Sequence, residues 1–108
     1  MDSNPNKKSV ESILILDTET TGLNENNDEV IEIGCILFNV PLKSVLSQLS
    51  FLLPVDTNDA EFINGIPVDV SNVMQPWREG IQFFKKLIDS CDFIVAHNAA
   101  FDKKWFGK

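Results

Sequence analysis

Apolar residues occur in four short runs along this chain, and each run predicts a strand. Residues 13–16 are apolar without alternation, a pattern typical of a strand covered on both faces. Residues 30–40 are rich in β-branched and aromatic side chains, and residues 44–53 alternate between apolar and polar positions. Because only short polar segments separate these three runs, we expect an antiparallel meander.

A helical pattern follows, beginning with Pro76 in the favoured first-turn position. Its apolar stripe consists of Trp77, Ile81, Phe84 and Ile88. Residues 92–96 then predict a strand parallel to the first, because a helix separates it from the meander. A second helix is expected to begin within HNAAFDKKWFGK at residues 97–108, with Asn98 as its N-cap. The intervening residues 54–75 lack periodicity, and we expect them to pack over the end of the sheet.

Length and composition favour one small globular domain. The chain has 108 residues, of which 44% are hydrophobic and 23% charged. We expect a disordered tail over residues 1–12 and a single domain over residues 13–108. No apolar run is long enough for a membrane span and the start lacks a signal-peptide pattern, so we expect a cytoplasmic protein without a membrane partner. Cys35 and Cys91 are expected to be reduced structural thiols.

Net charge limits how the chain could bind nucleic acid. Nine basic and 16 acidic residues give a formal charge of −7. This balance opposes a phosphate-binding groove made of Lys and Arg alone. Contact with nucleic acid would therefore have to be local and assisted by a metal ion.

Asp17 and Glu19 follow the first apolar run directly. Side chains on a strand repeat every second residue, so both carboxylates point to the same side. Like charges at this spacing are costly unless a cation or protons neutralise them, and hard oxygen ligands suit Mg²⁺ or Mn²⁺. The alternative is that both acids mark a solvated strand end, with Thr20, Thr21 and Gly22 forming an ordinary turn.

Asp102 lies in the first turn of the predicted last helix. A carboxylate there can simply interact favourably with the helix dipole. Alternatively, it is directed across the end of the sheet at Asp17 and Glu19. The chain order favours the second interpretation, because a strand carrying D-x-E is followed by a meander, a helix and a parallel strand that leads to HNAAFD.

These motifs resemble the DEDD superfamily of 3′–5′ exonucleases, and within its DEDDh branch the proofreading epsilon subunits of bacterial DNA polymerase III. DTETTGL at residues 17–23 is similar to the first motif of the family, and VAHNAAFD at residues 95–102 to the second. INGIPVDV at residues 63–70 looks like the segment that lines the nucleotide. Two motifs in this order are a specific signal.

The resemblance implies an α/β, ribonuclease-H-like fold and two-metal hydrolysis of phosphodiesters at 3′ ends. By resemblance, Asp17 bridges two Mg²⁺ or Mn²⁺ ions, Glu19 binds the first, and Asp102 reaches the second. The residues implied to contact the substrate are Thr20, Gly22, Leu23, Asn64 and Asn98. The implied partner is nucleic acid, with DNA favoured over RNA.

The third motif of the family, a fourth acid preceded by a His, has no counterpart after residue 102. His97 belongs to the second motif, so we expect a structural role for it. The strand and helix that accompany the third motif are also absent, which predicts an open sheet edge at residues 93–96. A longer protein, a second copy of the chain or a degenerate domain would each explain this edge.

Three functions remain open at this stage. The first is an exonuclease domain whose catalytic set is incomplete, so that the isolated chain is weak or inactive. The second is a non-catalytic, exonuclease-like module that binds a protein or nucleic acid. The third is a structural domain in which the acids are strand-end and cap residues.

Overall fold

The computed structural model describes residues 11–24 and 26–96. The predicted tail therefore lies almost wholly outside the described residues, as does the predicted last helix. The elements are β1 Ser12–Thr20, β2 Val30–Asn39, β3 Ser44–Leu52, α1 Glu61–Asn64, α2 Val68–Ser71, α3 Trp77–Ser90 and β4 Phe93–Ala96.

The four strands form one mixed sheet in the order β3-β2-β1-β4. β1 pairs antiparallel with β2, and β2 pairs antiparallel with β3, so the predicted meander is confirmed. On its other side β1 pairs in parallel with β4, which follows the helix α3 as predicted. Within residues 11–24 and 26–96, β4 is an edge strand of the sheet.

The central strand β1 is covered on one face only, so the prediction of a strand buried on both faces is wrong for the described residues. Leu14 and Leu16 are buried, whereas Ile15 between them is 45% exposed. The apolar run does not distinguish the two faces, because Ile is a good strand residue whether or not something covers it. We call the side of the sheet that carries Ile15 the open face.

β1 also extends further than predicted at both ends. It begins at Ser12, because the Asp92 carboxylate accepts hydrogen bonds from the backbone N–H groups of Glu11 (3.0 Å) and Ser12 (3.1 Å). At its other end the strand continues through both acids to Thr20. Asp17 and Glu19 therefore lie within the ladder, where the two-residue repeat of a strand places both side chains on one face.

Helix α3 covers the buried face of the sheet. Phe84 and Leu87 pack in one core cluster with Leu14, Leu16 and neighbouring residues of β2. Gly80 allows close approach, because a Cβ there would lie 3.0 Å from the ring of Phe51 on β3. Of the predicted stripe, Phe84 is buried and Ile88 packs against the same cluster, whereas Trp77 and Ile81 are partly buried. Leu87, which was not predicted in the stripe, is buried as well.

Pro76 lies one position earlier than predicted. It is the N-cap residue of α3, and the backbone N–H of Gly80 donates to its carbonyl at 3.0 Å. A proline before the first helical residue costs no hydrogen bond, because the first N–H groups of a helix have no intrahelical partner.

The aperiodic segment 54–75 contains the two short helices α1 and α2 and packs beside the end of β1. A second core cluster consists of Ile31, Val55 and Ile66. The amide of Asn72 holds this segment together by donating to the carbonyl of Val55 at 2.8 Å. These contacts confirm that residues 54–75 pack at the end of the sheet near the acids.

Candidate active site

Asp17 and Glu19 lie on the open face of β1, as their spacing predicts. Asp17 is exposed and lies opposite Gly34 of β2, and Glu19 lies opposite Glu32. Because Gly34 has no side chain, the neighbouring strand leaves space beside the Asp17 carboxylate. An open groove of about 370 Å³ occurs there, lined by residues of β1, β2 and β3.

Glu32 is a third carboxylate on this face. Residues paired directly across an antiparallel ladder have side chains on the same side, so Glu32 points to the side that carries Glu19. Sequence reasoning did not identify Glu32, because nothing in the sequence specifies which residue of β2 lies opposite Glu19. The pairing depends on the register of the two strands.

A bulge lies immediately beyond this pair. Glu19 pairs with Glu32 and Thr20 with Val30, so Ile31 is the extra residue on β2. Ile31 is fully buried in the second core cluster, whereas Val30 packs against the first. The bulge thus places Ile31 of β2 against Val55 and Ile66 of segment 54–75. Bulges are frequent beside active sites, where they redirect side chains.

The turn that follows β1 is held by hydrogen bonds. The Thr20 hydroxyl donates to the carbonyl of Gly22 at 2.6 Å. The Thr21 hydroxyl donates to the Asp28 carboxylate at 3.1 Å and accepts from the backbone N–H of Glu29 at 2.9 Å. Thr20 and Thr21 are buried, whereas the side chain of Leu23 is 86% exposed.

Asn64 joins α1 to this turn. Its amide nitrogen donates to the carbonyl of Thr20 at 3.0 Å, and its amide oxygen accepts from the backbone N–H of Ile66 at 3.0 Å. The Asn58 amide donates to the same oxygen at 3.0 Å. Both ends of the Asn64 side chain are therefore engaged within the protein, which suits a residue that positions the turn.

The remaining predicted site residues, Asn98 and Asp102, lie outside the described residues, as does His97. Among residues 11–24 and 26–96, no group of three or more His, Cys, Asp or Glu side chains could hold a metal ion. Asp17 and Glu19 nevertheless fit the donor chemistry of Mg²⁺, which commonly takes one or two carboxylates together with waters and phosphate oxygens.

Cys35 lies on the buried face of β2, away from the acids. Burial raises the pKa of its thiol to about 11. Its free, buried state agrees with the expectation of a structural thiol. Within the part of the chain that the structure describes, no helix has the length and apolar character needed to cross a bilayer.

Comparison with solved structures identifies the fold. The chain superimposes on SSB/exonuclease I with a TM-score of 0.68 at 18% identity, covering 90% of this chain and 23% of that chain. The nuclease domain of 3′hExo, a DEDDh family member solved with bound rAMP, gives a TM-score of 0.64 at 16% identity, with 91% and 57% covered. The predicted ribonuclease-H-like fold is confirmed, and this chain contains part of it.

Comparison of sequences identifies the family. The chain is 36% identical over 89 residues to the DNA polymerase III subunit epsilon of Treponema pallidum (strain Nichols), an alignment that covers 80% of this chain and 40% of that protein. The chain thus spans less than half the length of this curated relative. The family model described as "Exonuclease" (RNase T) matches residues 14–107. The predicted resemblance to DEDDh exonucleases is therefore confirmed, and the chain belongs to the RNase T family of exonucleases.

Proposed function

We propose that this chain carries a 3′–5′ exonuclease domain that hydrolyses phosphodiester bonds at nucleic-acid 3′ ends. The observation that supports the proposal best is the placement of Asp17 and Glu19 side by side on the open face of the central strand. In this face the Asp17 carboxylate is exposed and borders a groove, so it is accessible to a nucleic-acid backbone. Family membership adds independent support.

In this proposal Asp17, Glu19 and Asp102 hold two Mg²⁺ or Mn²⁺ ions. When bound, such a pair stabilises the attacking and leaving oxygens of an in-line displacement. The turn of Thr20, Gly22 and Leu23 holds the terminal nucleotide, with the exposed Leu23 side chain against its base. Asn64 supports this turn through the Thr20 carbonyl, and Asn98 contributes from the second motif.

We further propose that the catalytic set is incomplete within these 108 residues, because the fourth acid and the preceding His have no counterpart after residue 102. Each group missing from such a set can remove several kcal/mol of transition-state stabilisation. Substrate is expected to be DNA rather than RNA, by analogy with a polymerase subunit, and the location cytoplasmic by the same analogy.

The test is release of 3′ nucleotides from labelled single-stranded DNA and RNA in Mg²⁺ and in Mn²⁺. We compare the chain with Asp17→Asn and with Asp56→Asn, an exposed loop acid that undergoes the same change of charge. Slow release that Asp17→Asn abolishes and Asp56→Asn leaves unchanged supports the proposal. A rate typical of intact nucleases would overturn the idea of an incomplete set.

Thermal unfolding with and without Mn²⁺ separates the remaining outcomes. In one outcome no nucleotide is released, yet Mn²⁺ stabilises the unmutated chain and Asp56→Asn but not Asp17→Asn. This outcome would overturn exonuclease activity for this chain and favour a non-catalytic binding module. Absence of both release and metal stabilisation would contradict the metal site itself and leave the acids with a structural role.

A further inference from the structure

We propose that Asp28 is a positioning residue for nucleotide binding, which it supports by fixing the shape of the turn at residues 20–23. This inference rests on the proposed function of that turn. Asp28 lies before β2, outside the two motifs at residues 17–23 and 95–102 and the segment 63–70, and it faces the turn from the opposite arm of the connection between β1 and β2.

The Asp28 carboxylate accepts two hydrogen bonds from this connection. One oxygen accepts from the hydroxyl of Thr21 at 3.1 Å, and the other accepts from the backbone N–H of Asn24 at 2.9 Å. These two donors lie on either side of Gly22 and Leu23. One carboxylate therefore fixes both ends of the segment that presents the Leu23 side chain to solvent.

Gly22 provides a second, independent observation. A Cβ on Gly22 would lie 2.6 Å from the carboxylate carbon of Asp28 and 2.8 Å from its Oδ1, closer than real Cβ atoms approach other atoms. Gly22 does not have a positive φ; among the described residues, Gly65 is the glycine that does. The conformation of the backbone therefore does not explain a glycine at position 22. Gly22 is therefore needed for the space that the Asp28 carboxylate occupies.

Backbone hydrogen bonds hold the chain on both sides of the Asp28 carboxylate. The backbone N–H of Thr21 donates to the carbonyl of Glu29 at 2.8 Å, and the N–H of Asp28 donates to the carbonyl of Asn24 at 2.7 Å. Asn64 holds the Thr20 carbonyl from α1. With both flanks fixed, loss of the Asp28 carboxylate releases the segment between them, namely Gly22 and Leu23, and leaves Asp17 and Glu19 in the ladder.

Loss of the Asp28 carboxylate should therefore affect nucleotide binding and metal binding differently. Displacement of a binding group by about 1 Å can reduce function as much as a hundredfold, so Asp28→Ala should weaken binding of deoxyadenosine monophosphate by roughly tenfold or more. Affinity for Mn²⁺ alone should stay within about twofold, because each tenfold change requires about 1.4 kcal/mol and the β1 carboxylates do not move. Asp28→Asn keeps one acceptor oxygen for Thr21, so its affinity for the nucleotide should lie between those of the unmutated chain and Asp28→Ala.

Calorimetric titrations of Mn²⁺ alone, and of deoxyadenosine monophosphate with Mn²⁺ present, test this prediction. The variants are Asp28→Ala, Asp28→Asn and the control Asp56→Ala, an exposed acid whose loss should leave both affinities unchanged. A double-mutant cycle adds Gly22→Ala. Because the clash requires the carboxylate, Gly22→Ala should weaken nucleotide binding strongly in the unmutated chain and little in the Asp28→Ala background.

Each outcome decides the proposal. Selective loss of nucleotide affinity, with coupling between Gly22 and Asp28, supports it. Equal loss of nucleotide and Mn²⁺ affinity in Asp28→Ala, or additive effects of the two substitutions, would show a general structural role and overturn it. Normal nucleotide binding by Asp28→Ala would also overturn it. If the unmutated chain binds Mn²⁺ and no nucleotide, the proposed function of the turn fails, and the inference about Asp28 fails with it.

Discussion

Glu19 and Glu32 lie directly opposite each other on adjacent antiparallel strands, with their side chains on the face that also carries Asp17. Like charges in directly opposed positions destabilise a sheet by up to about 1 kcal/mol. The pairing therefore agrees with a face that binds a cation, as proposed for this site.

Replacement of Glu32 by Gln should stabilise the metal-free chain. The substitution removes one of the two opposed charges and keeps the size of the side chain, so we expect a gain of about 0.2–1 kcal/mol in the free energy of unfolding. Urea denaturation at low salt and neutral pH measures it. The matched control is Glu29→Gln, an exposed acid before β2 with the same change of charge. Equal gains in both variants would mean that net charge, rather than this pair, causes the effect.

Replacement of Asn64 by Ala should destabilise the junction between α1 and the turn after β1. The carbonyl of Thr20 loses a donor, and the N–H of Ile66 loses an acceptor. Partly buried groups left without partners cost about 1–3 kcal/mol. The same denaturation assay should show no such loss for Asn26→Ala, whose side chain is exposed in the loop. An unchanged unfolding free energy for Asn64→Ala would contradict the role assigned to this side chain.

Replacement of Phe84 by Ala should have the largest effect on stability. Phe84 is 3% exposed and packs between α3 and the buried face of the sheet. Removal of a buried aromatic ring costs about 3–5 kcal/mol through lost burial and the cavity left behind. The neighbouring Phe83 is 44% exposed, so Phe83→Ala controls for the chemistry of the substitution. If Phe84→Ala and Phe83→Ala lost similar amounts of unfolding free energy, the assignment of Phe84 to the core would be wrong.

The Cys35 thiol should make stability depend on pH at alkaline values. Its pKa rises from 9.0 to about 11 on folding because the thiol is buried. The unfolded chain therefore releases its proton at lower pH than the folded chain, and the stabilisation present below pH 9 is lost as pH rises towards 11. Chemical denaturation between these pH values should show the decline, and Cys35→Ala should lack this component. A decline of the same size in Cys35→Ala would assign it to other groups.

Alternation and spacing were sufficient to predict the order of the main elements. The meander, the helix at residues 77–90 and the parallel strand after it follow from local patterns, because apolar periodicity reports which side of an element is buried. The shared face of Asp17 and Glu19 follows from the same geometry, since a strand repeats every two residues. The family could be recognised because each of its first two motifs is a continuous run of residues, at 17–23 and at 95–102.

Tertiary structure decided the features that depend on how separate segments meet. The pairing of Glu19 with Glu32 depends on strand register and on the bulge at Ile31, which no local pattern specifies. The exposure of Ile15 depends on which face α3 covers, and an Ile residue suits a strand in either case. The contact of Asp28 with Gly22 requires the connection between β1 and β2 to close on itself. The sequence thus determined the elements and the acids on one face, whereas long-range packing determined which further residues surround them, because contacts between distant segments have no local signature.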